Sequence, residues 1–309
     1  MGALINVILP VFLVLGFGYV AVWRNVFSDD SVNGLMRFTQ NFAIPALLFS
    51  AISTLDLQKN VDLALLGSFY VGAFTCFLVG LLGARFIFKR PWEDSVVIGF
   101  VAFFSNSLML GLPITERAYG VGALEGNYTI IAFHSPSCYL IGITAMEIAK
   151  NRGESYATLP GKVLKAMFRN ALVLGVGLGF IVNLSGITLP SALTDAVELI
   201  GRTAVPVALF GLGGVLYHYR PEGDLKTIMF VVAISLILHP SIVWILGKWS
   251  NLDTDAFRSA ILTSSVASGV NAYVFANMYG HAKRVAASAV LFGTVLCIVT
   301  AWGWLAILP

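Results

Sequence analysis

The sequence predicts an all-α membrane protein of ten transmembrane helices, built as two inverted five-helix repeats whose fourth and ninth helices are broken. Three observations lead there: composition, the spacing of apolar segments, and two interrupted segments at matching places in the two halves. Hydrophobic residues make up 58% of the 309 residues and charged ones 11%, with a mean hydropathy of +0.85. Soluble domains carry about 25% charge. At about 20 residues per span plus links, roughly ten helices fit this length. A net charge of +3 is too small to suggest nucleic acid, and the partner it leaves is the lipid bilayer.

The apolar segments fall at 3–23, 33–53, 62–88, 94–119, 127–149, 168–188, 192–217, 226–248, 256–279 and 284–307. The first has no basic n-region and no small-residue cleavage site, so it reads as a membrane helix and not a removable signal. Pro45 and Pro206 are expected to kink the second and seventh segments. The longest link, 151–165, is a cytoplasmic linker between a first repeat over 1–150 and a second over 166–309. Cys76, Cys138 and Cys297 all lie in apolar segments and read as small buried hydrophobes, without disulfide or metal spacing.

Basic residues set the orientation. The odd links and their borders hold Arg24, Arg85, Lys89, Arg90, Lys150, Arg152, Lys162, Lys165, Arg169, Arg220, Lys226, Lys283 and Arg284; the even links hold Lys59, Arg117, Lys248 and Arg258. The positive-inside rule places the odd links in the cytoplasm and both termini outside.

The halves repeat. Ile44-Pro45-Ala46-Leu47-Leu48-Phe49 matches Val205-Pro206-Val207-Ala208-Leu209-Phe210, with Pro45/Pro206 and Phe49/Phe210 at one offset of 161 residues. That offset also pairs Gly16-Phe17-Gly18-Tyr19 with Gly177-Leu178-Gly179-Phe180. An odd number of helices per half makes the second enter the membrane from the opposite side, as in secondary transporters.

The fourth segment contains Ser105-Asn106-Ser107-Leu108-Met109-Leu110-Gly111-Leu112-Pro113. Pro113 lacks a helical donor, Gly111 is a poor helix former, and an unsatisfied Asn106 amide costs about 2–7 kcal/mol in hydrocarbon. Irregular backbone survives at membrane depth only where protein or a watery cavity surrounds it. The ninth segment has a matching break, Ser264 to Tyr273, with Gly269, Asn271 and Ala272. Two such breaks crossing at the midplane supply two half-helix N-termini, each with about half a positive charge, a ready site for a carboxylate. Asn106 and Asn271 either meet substrate or cap their own helices. Arg202, whose counterpart in the repeat is Asn41, either binds a carboxylate or pairs with Glu198 one turn earlier. His134 is a proton carrier, a substrate donor, or a bonded membrane histidine. Tyr139, Tyr273 and Phe275 line an aromatic pocket or pack in the core.

Asn106 to Pro113 resembles the Asn-x-x-x-x-Gly-x-Pro crossover motif of the auxin efflux carrier family, which includes bacterial permeases assigned to malonate and malate. Gly269-Val270-Asn271-Ala272-Tyr273-Val274-Phe275-Ala276 resembles the second crossover of bacterial members, and Asn41 to Phe49 the helix-two pattern. The resemblance covers essentially the whole chain. It implies a fold like that of bile acid–sodium symporters and a homodimer in the bacterial inner membrane. It also implies a scaffold of helices 1, 2, 6 and 7, past which helices 3–5 and 8–10 move as an elevator. Substrate would meet Asn106, Gly111, Pro113, Gly269, Asn271 and Ala272. The short 5–6 link and Ala272, where plant members have proline, point away from auxin.

The sequence carries no metalloprotease, phosphate-loop or nucleophile-elbow signature. The expectation is a non-enzyme without cofactor: a secondary or facilitative transporter of small organic anions, mono- or dicarboxylates, with H+ or Na+ as a possible coupling ion. The alternatives are a sodium-coupled carrier of a bulkier amphipathic anion and a membrane ligand sensor. No link is long enough for a soluble output domain, which counts against the sensor.

Overall fold

The computed structural model describes residues 4–55, 62–150, 171–219 and 224–309, together with positions 161, 164, 168 and 222. The linker expected over 151–165 therefore lies almost wholly outside the described residues. Among the described residues all regular structure is helical, apart from one isolated antiparallel bridge between Ser105 and Ser268.

Among the described residues, six helices are long and apolar enough to cross a membrane: α1 (Asn6–Trp23), α4 (Leu63–Ile87), α7 (Glu125–Lys150), α9 (Ser191–His218), α10 (Leu225–Trp249) and α13 (Lys283–Ile307). A shorter apolar helix, α8, covers Ala171–Ser185. Between α1 and α4, α2 (Asp29–Phe38) runs through a π turn at Thr39–Ala43 into α3 (Ile44–Ser53). The two interrupted segments appear as half-length pairs: α5 (Trp92–Phe103) with α6 (Leu112–Tyr119), and α11 (Thr254–Ser264) with α12 (Val270–Tyr279). A helix of 12 residues rises about 18 Å, a little over half of a ~30 Å hydrocarbon layer.

Local chemistry explains where these helices begin. Asp62 accepts from the Ala64 N–H at 2.7 Å and Asp253 from the Asp255 and Ala256 N–H groups at 3.0 and 2.9 Å. Asp224 accepts from Lys226 N–H at 3.1 Å and the Thr227 hydroxyl at 2.6 Å. These side chains satisfy donors that have no partner inside the helix. The Thr227 hydroxyl, with the Lys226 N–H and Arg90, holds the Asp224 carboxyl below its ordinary range.

The sequence predicts kinks at Pro45 and Pro206 and makes Pro113 part of a break; at Pro45 and Pro113 the structure shows a widened turn before the proline. Three prolines, Pro45, Pro113 and Pro240, each follow a π turn. The residue before each donates five residues back instead of four: Ile44 to Thr39, Leu112 to Ser107, and His239 to Ile234. A proline has no N–H and its ring collides with the carbonyl four residues earlier. Widening the preceding turn relieves both problems, so the helix runs on. The break in the fourth segment accordingly lies upstream, at residues 104–106, and Pro113 stands in the first turn of α6. Proline is well tolerated there.

Packing divides the helices into two sets. α1 lies along α9, α8 along α3, and α9 also contacts α2 and α3. In the other set, α4 packs on α5 and α10, α7 on α5 and α11, and α13 on α10 and α12. The α1–α9 contact depends on missing side chains. A Cβ on Gly18 would overlap the carbonyl of Phe210, and one on Gly213 the carbonyl of Leu15, whereas Gly16 has open space around it.

Gly18→Val and Gly213→Val are therefore expected to cost about 1–3 kcal/mol each through overpacking. Gly16→Ala should be neutral or slightly stabilising, since alanine is the better helix former. Thermal unfolding of the three variants in detergent checks this ordering.

Candidate functional site

The two breaks meet and pair. Asn106 donates its backbone N–H to Ala267 O at 2.8 Å, and Gly269 donates its own to Phe104 O at 2.9 Å. This short antiparallel pairing satisfies four backbone groups that an interrupted helix would otherwise leave bare in hydrocarbon. Gly269 lies close to the other break: a Cβ there would make a tight contact with Phe104 Cδ1 at 3.3 Å and an ordinary one with Asn106 Cα at 3.5 Å, leaving little room for a larger side chain.

The helix ends at the crossing are treated unequally. Serine hydroxyls serve the C-terminal ends of α5 and α11. Ser268 Oγ donates to Val101 O at 2.7 Å, Ser264 Oγ to Ile261 O at 2.9 Å, and Ser265 Oγ to Leu262 O at 3.2 Å. At the N-terminal ends no side chain caps. Neither Asn106, at the head of the turn leading into α6, nor Gly269, ahead of α12, makes a side-chain cap bond. The capping role expected for Asn106 is thus absent, and Asn271 lies inside the first turn of α12, not ahead of it. The first N–H groups of an uncapped helix have no internal acceptor. Serine hydroxyls partly compensate three carbonyls at the opposing ends, while the helix starts keep unpaired N–H groups with partial positive charge.

The crossing borders a cavity of about 40 Å³ lined by Ser105, Asn106, Ser107, Met109, Ser135, Gly269 and Asn271, with Leu172 of α8 and Ile44 of α3. Asn106 is 6% exposed, and its Nδ2 is a buried donor with no partner. The cavity shares Ile44, Met109, Leu172 and Asn271 with a vestibule of about 400 Å³, which adds Gln40, Asn41, Tyr139, Pro136 and Met278. Both spaces lie between the two packing sets.

The sequence-derived candidates divide accordingly. Asn106, Gly269 and Asn271 share the inner cavity, and Asn41 lies across the vestibule. Gly111 faces Thr263, one turn beyond the cavity. Ala272 and Tyr273 are absent from both walls; Ala272 is fully buried and Tyr273 packs on Tyr219, with ring centroids 4.9 Å apart. Pro113 lines a separate space of about 500 Å³ with Pro10, Glu116, Arg117 and Pro206. That space is larger, but it shares no lining residue with the crossing. Arg202 donates to Glu198 Oε1 at 2.7 and 3.2 Å and is on neither wall. His134 is buried behind the crossing, 3.4 Å from Ser105 Oγ, among Phe69, Tyr70 and Phe104. Tyr139, read from the sequence as lining an aromatic pocket or packing in the core, is on the vestibule wall, and Gln40, Met109 and Ser135 are on the walls without having been singled out as site residues. Gln40, next to Asn41, could have been suspected as a second amide in an apolar segment.

Residues 3–305 match the family model described as "Membrane transport protein". The chain belongs to this family. It is 22% identical to the "Putative malonate transporter" of Rhizobium meliloti (strain 1021), over 99% of this chain and 96% of that protein. The "Uncharacterized transporter YfdV" of Escherichia coli (strain K12) is also 22% identical, over 96% and 95%. "Auxin efflux carrier component 5" of Arabidopsis thaliana is 20% identical, over 95% and 93%. The resemblance read from the crossover motifs thus extends along the membrane transport family member as a whole.

Gly269→Val is expected to force the two breaks apart. Hydrogen–deuterium exchange should then speed up in 104–107 and 267–270 together, because each donor's acceptor is on the other segment. Acceleration confined to 267–270 would contradict the pairing.

Proposed function

We propose that this protein is a secondary or facilitative transporter of small organic anions, mono- or dicarboxylates of the malonate and malate type. The observation that carries this reading is the uncapped pair of half-helix N-termini at the crossing, beside a cavity lined by Asn106, whose buried amide Nδ2 has no partner. A carboxylate has the charge and the acceptor oxygens that such a site lacks. The name of the Rhizobium relative supports malonate as the first compound to try.

The packing supports an elevator. α1, α2, α3, α8 and α9 correspond to helices 1, 2, 6 and 7 of the expected scaffold, and the rest to the transport part. The cavity draws walls from both sets, so sliding one past the other would carry the crossing from one side to the other. In this reading there are ten helices in two inverted repeats, with both termini outside the bacterial inner membrane. The vestibule, lined by Ala171 and Met278 beside the basic odd links, then opens to the cytoplasm. A homodimer and a coupling ion, H+ or Na+, belong to the same reading.

The test is uptake of radiolabelled malonate into proteoliposomes. Saturable flux is expected. Asn106→Ala and Asn271→Ala should each lower kcat/KM about 10- to 100-fold, since a hydrogen bond to a charged group contributes about 1.5–3 kcal/mol. Wild-type rates in both correctly inserted variants would overturn the site. Binding without flux would turn the reading toward a sensor.

A further inference from the structure

We infer that the site takes its substrate as a monoanion, so that a dicarboxylate enters half-protonated, with one carboxylate at the crossing and a neutral carboxyl toward α2 and α3. This rests on the transport reading above and adds the protonation state of the cargo.

The first support is the size of the positive charge. Two half-helix N-termini, at about half a charge each, offset about one negative charge. Ser264, Ser265 and Ser268 each donate to one carbonyl at the C-terminal ends of the same crossing, which reduces the negative charge set against it.

The second is what surrounds it. Among the described residues, the walls of the inner cavity and the vestibule carry no lysine, arginine, histidine, aspartate or glutamate. The cationic candidate nearest in sequence logic, Arg202, is engaged by Glu198 away from both walls. When the crossing passes the scaffold and the vestibule closes from water, a second carboxylate would have no charge opposite to it, a costly arrangement that protonation removes.

The third is the chemistry facing the crossing. Gln40 and Asn41 on the α2–α3 side, with Asn271 and the Tyr139 hydroxyl, offer donors and acceptors without charge. A protonated carboxyl donates one hydrogen bond and accepts others, and a carboxamide is complementary to that pair. A second carboxylate only accepts, so the amide oxygens would stand against it. Asn106 Nδ2, buried and without a partner, remains for the charged end.

The discriminating pair of compounds is malonate and its monomethyl ester, which is a monoanion at every pH above its single dissociation. Exchange of each is measured in proteoliposomes with the same pH on both sides, from mildly acidic to mildly alkaline. The expected result is that malonate exchange at fixed total concentration falls about tenfold per pH unit above the second dissociation, following the monoanion. Monomethyl malonate should exchange at a rate that stays within about twofold over the same range and should compete with malonate. The flat ester profile separates titration of the cargo from titration of the protein. Malonate exchange that holds level or rises as the dianion accumulates would overturn the inference and leave the transport reading intact. So would malonate exchange with no exchange or competition by the ester. Failure of both compounds to exchange would sink the transport reading and this inference together.

Discussion

Two backbone hydrogen bonds, Asn106 N–H to Ala267 O and Gly269 N–H to Phe104 O, are the constraint on which the rest depends. A membrane helix cannot stop at the midplane unless its exposed backbone groups find partners, because hydrocarbon offers none. Here each break supplies the partners of the other. The cost of interruption is met twice over by one contact, and neither break is tenable without its mate. It also holds two helix starts side by side, which no continuous span provides.

The side chains around this pairing then decide its polarity. Serines at 264, 265 and 268 satisfy carbonyls, and the positions that would cap the helix starts make no cap bond. Had Asn106 capped its own helix, the positive end would be consumed internally. Its Nδ2 is instead buried without a partner, in a residue that lines the cavity. Such a group costs free energy in the empty site and returns it when an acceptor arrives. The π turn at Ser107–Gly111 contributes as well, letting α6 pass Pro113 and continue outward from the crossing.

Much of this was legible in the sequence. Collinear matches such as Pro45 with Pro206 and Gly18 with Gly179 pointed to paired breaks, and the structure joins them. Glu198 and Arg202 are four residues apart on one helix, and the ion pair that spacing allows is the one present. Other features were not legible. The whole stretch from Ser105 to Pro113 read as a break, but the irregular backbone is confined to 104–106 and a π turn carries the chain on to Pro113. Asn106 looked like a cap because asparagine favours that role, and only the pairing of its backbone with Ala267 shows why its side chain is left over. Gln40 reaches the vestibule through the packing of helices distant in sequence, which periodicity within one segment cannot report. Pro113 and Gly111 belong to the crossover motif and yet lie outside the cavity, because the motif also specifies how α6 packs on Thr263.

The central claim is that a carboxylate sits on the paired helix starts. An experimental structure with malonate bound tests it most directly. The account predicts carboxylate oxygens within hydrogen-bond distance of Asn106 Nδ2 and of first-turn N–H groups near Ser107 and Asn271. Malonate bound at Arg202, or in the separate space beside Glu116 and Arg117 with the crossing left empty, would contradict it.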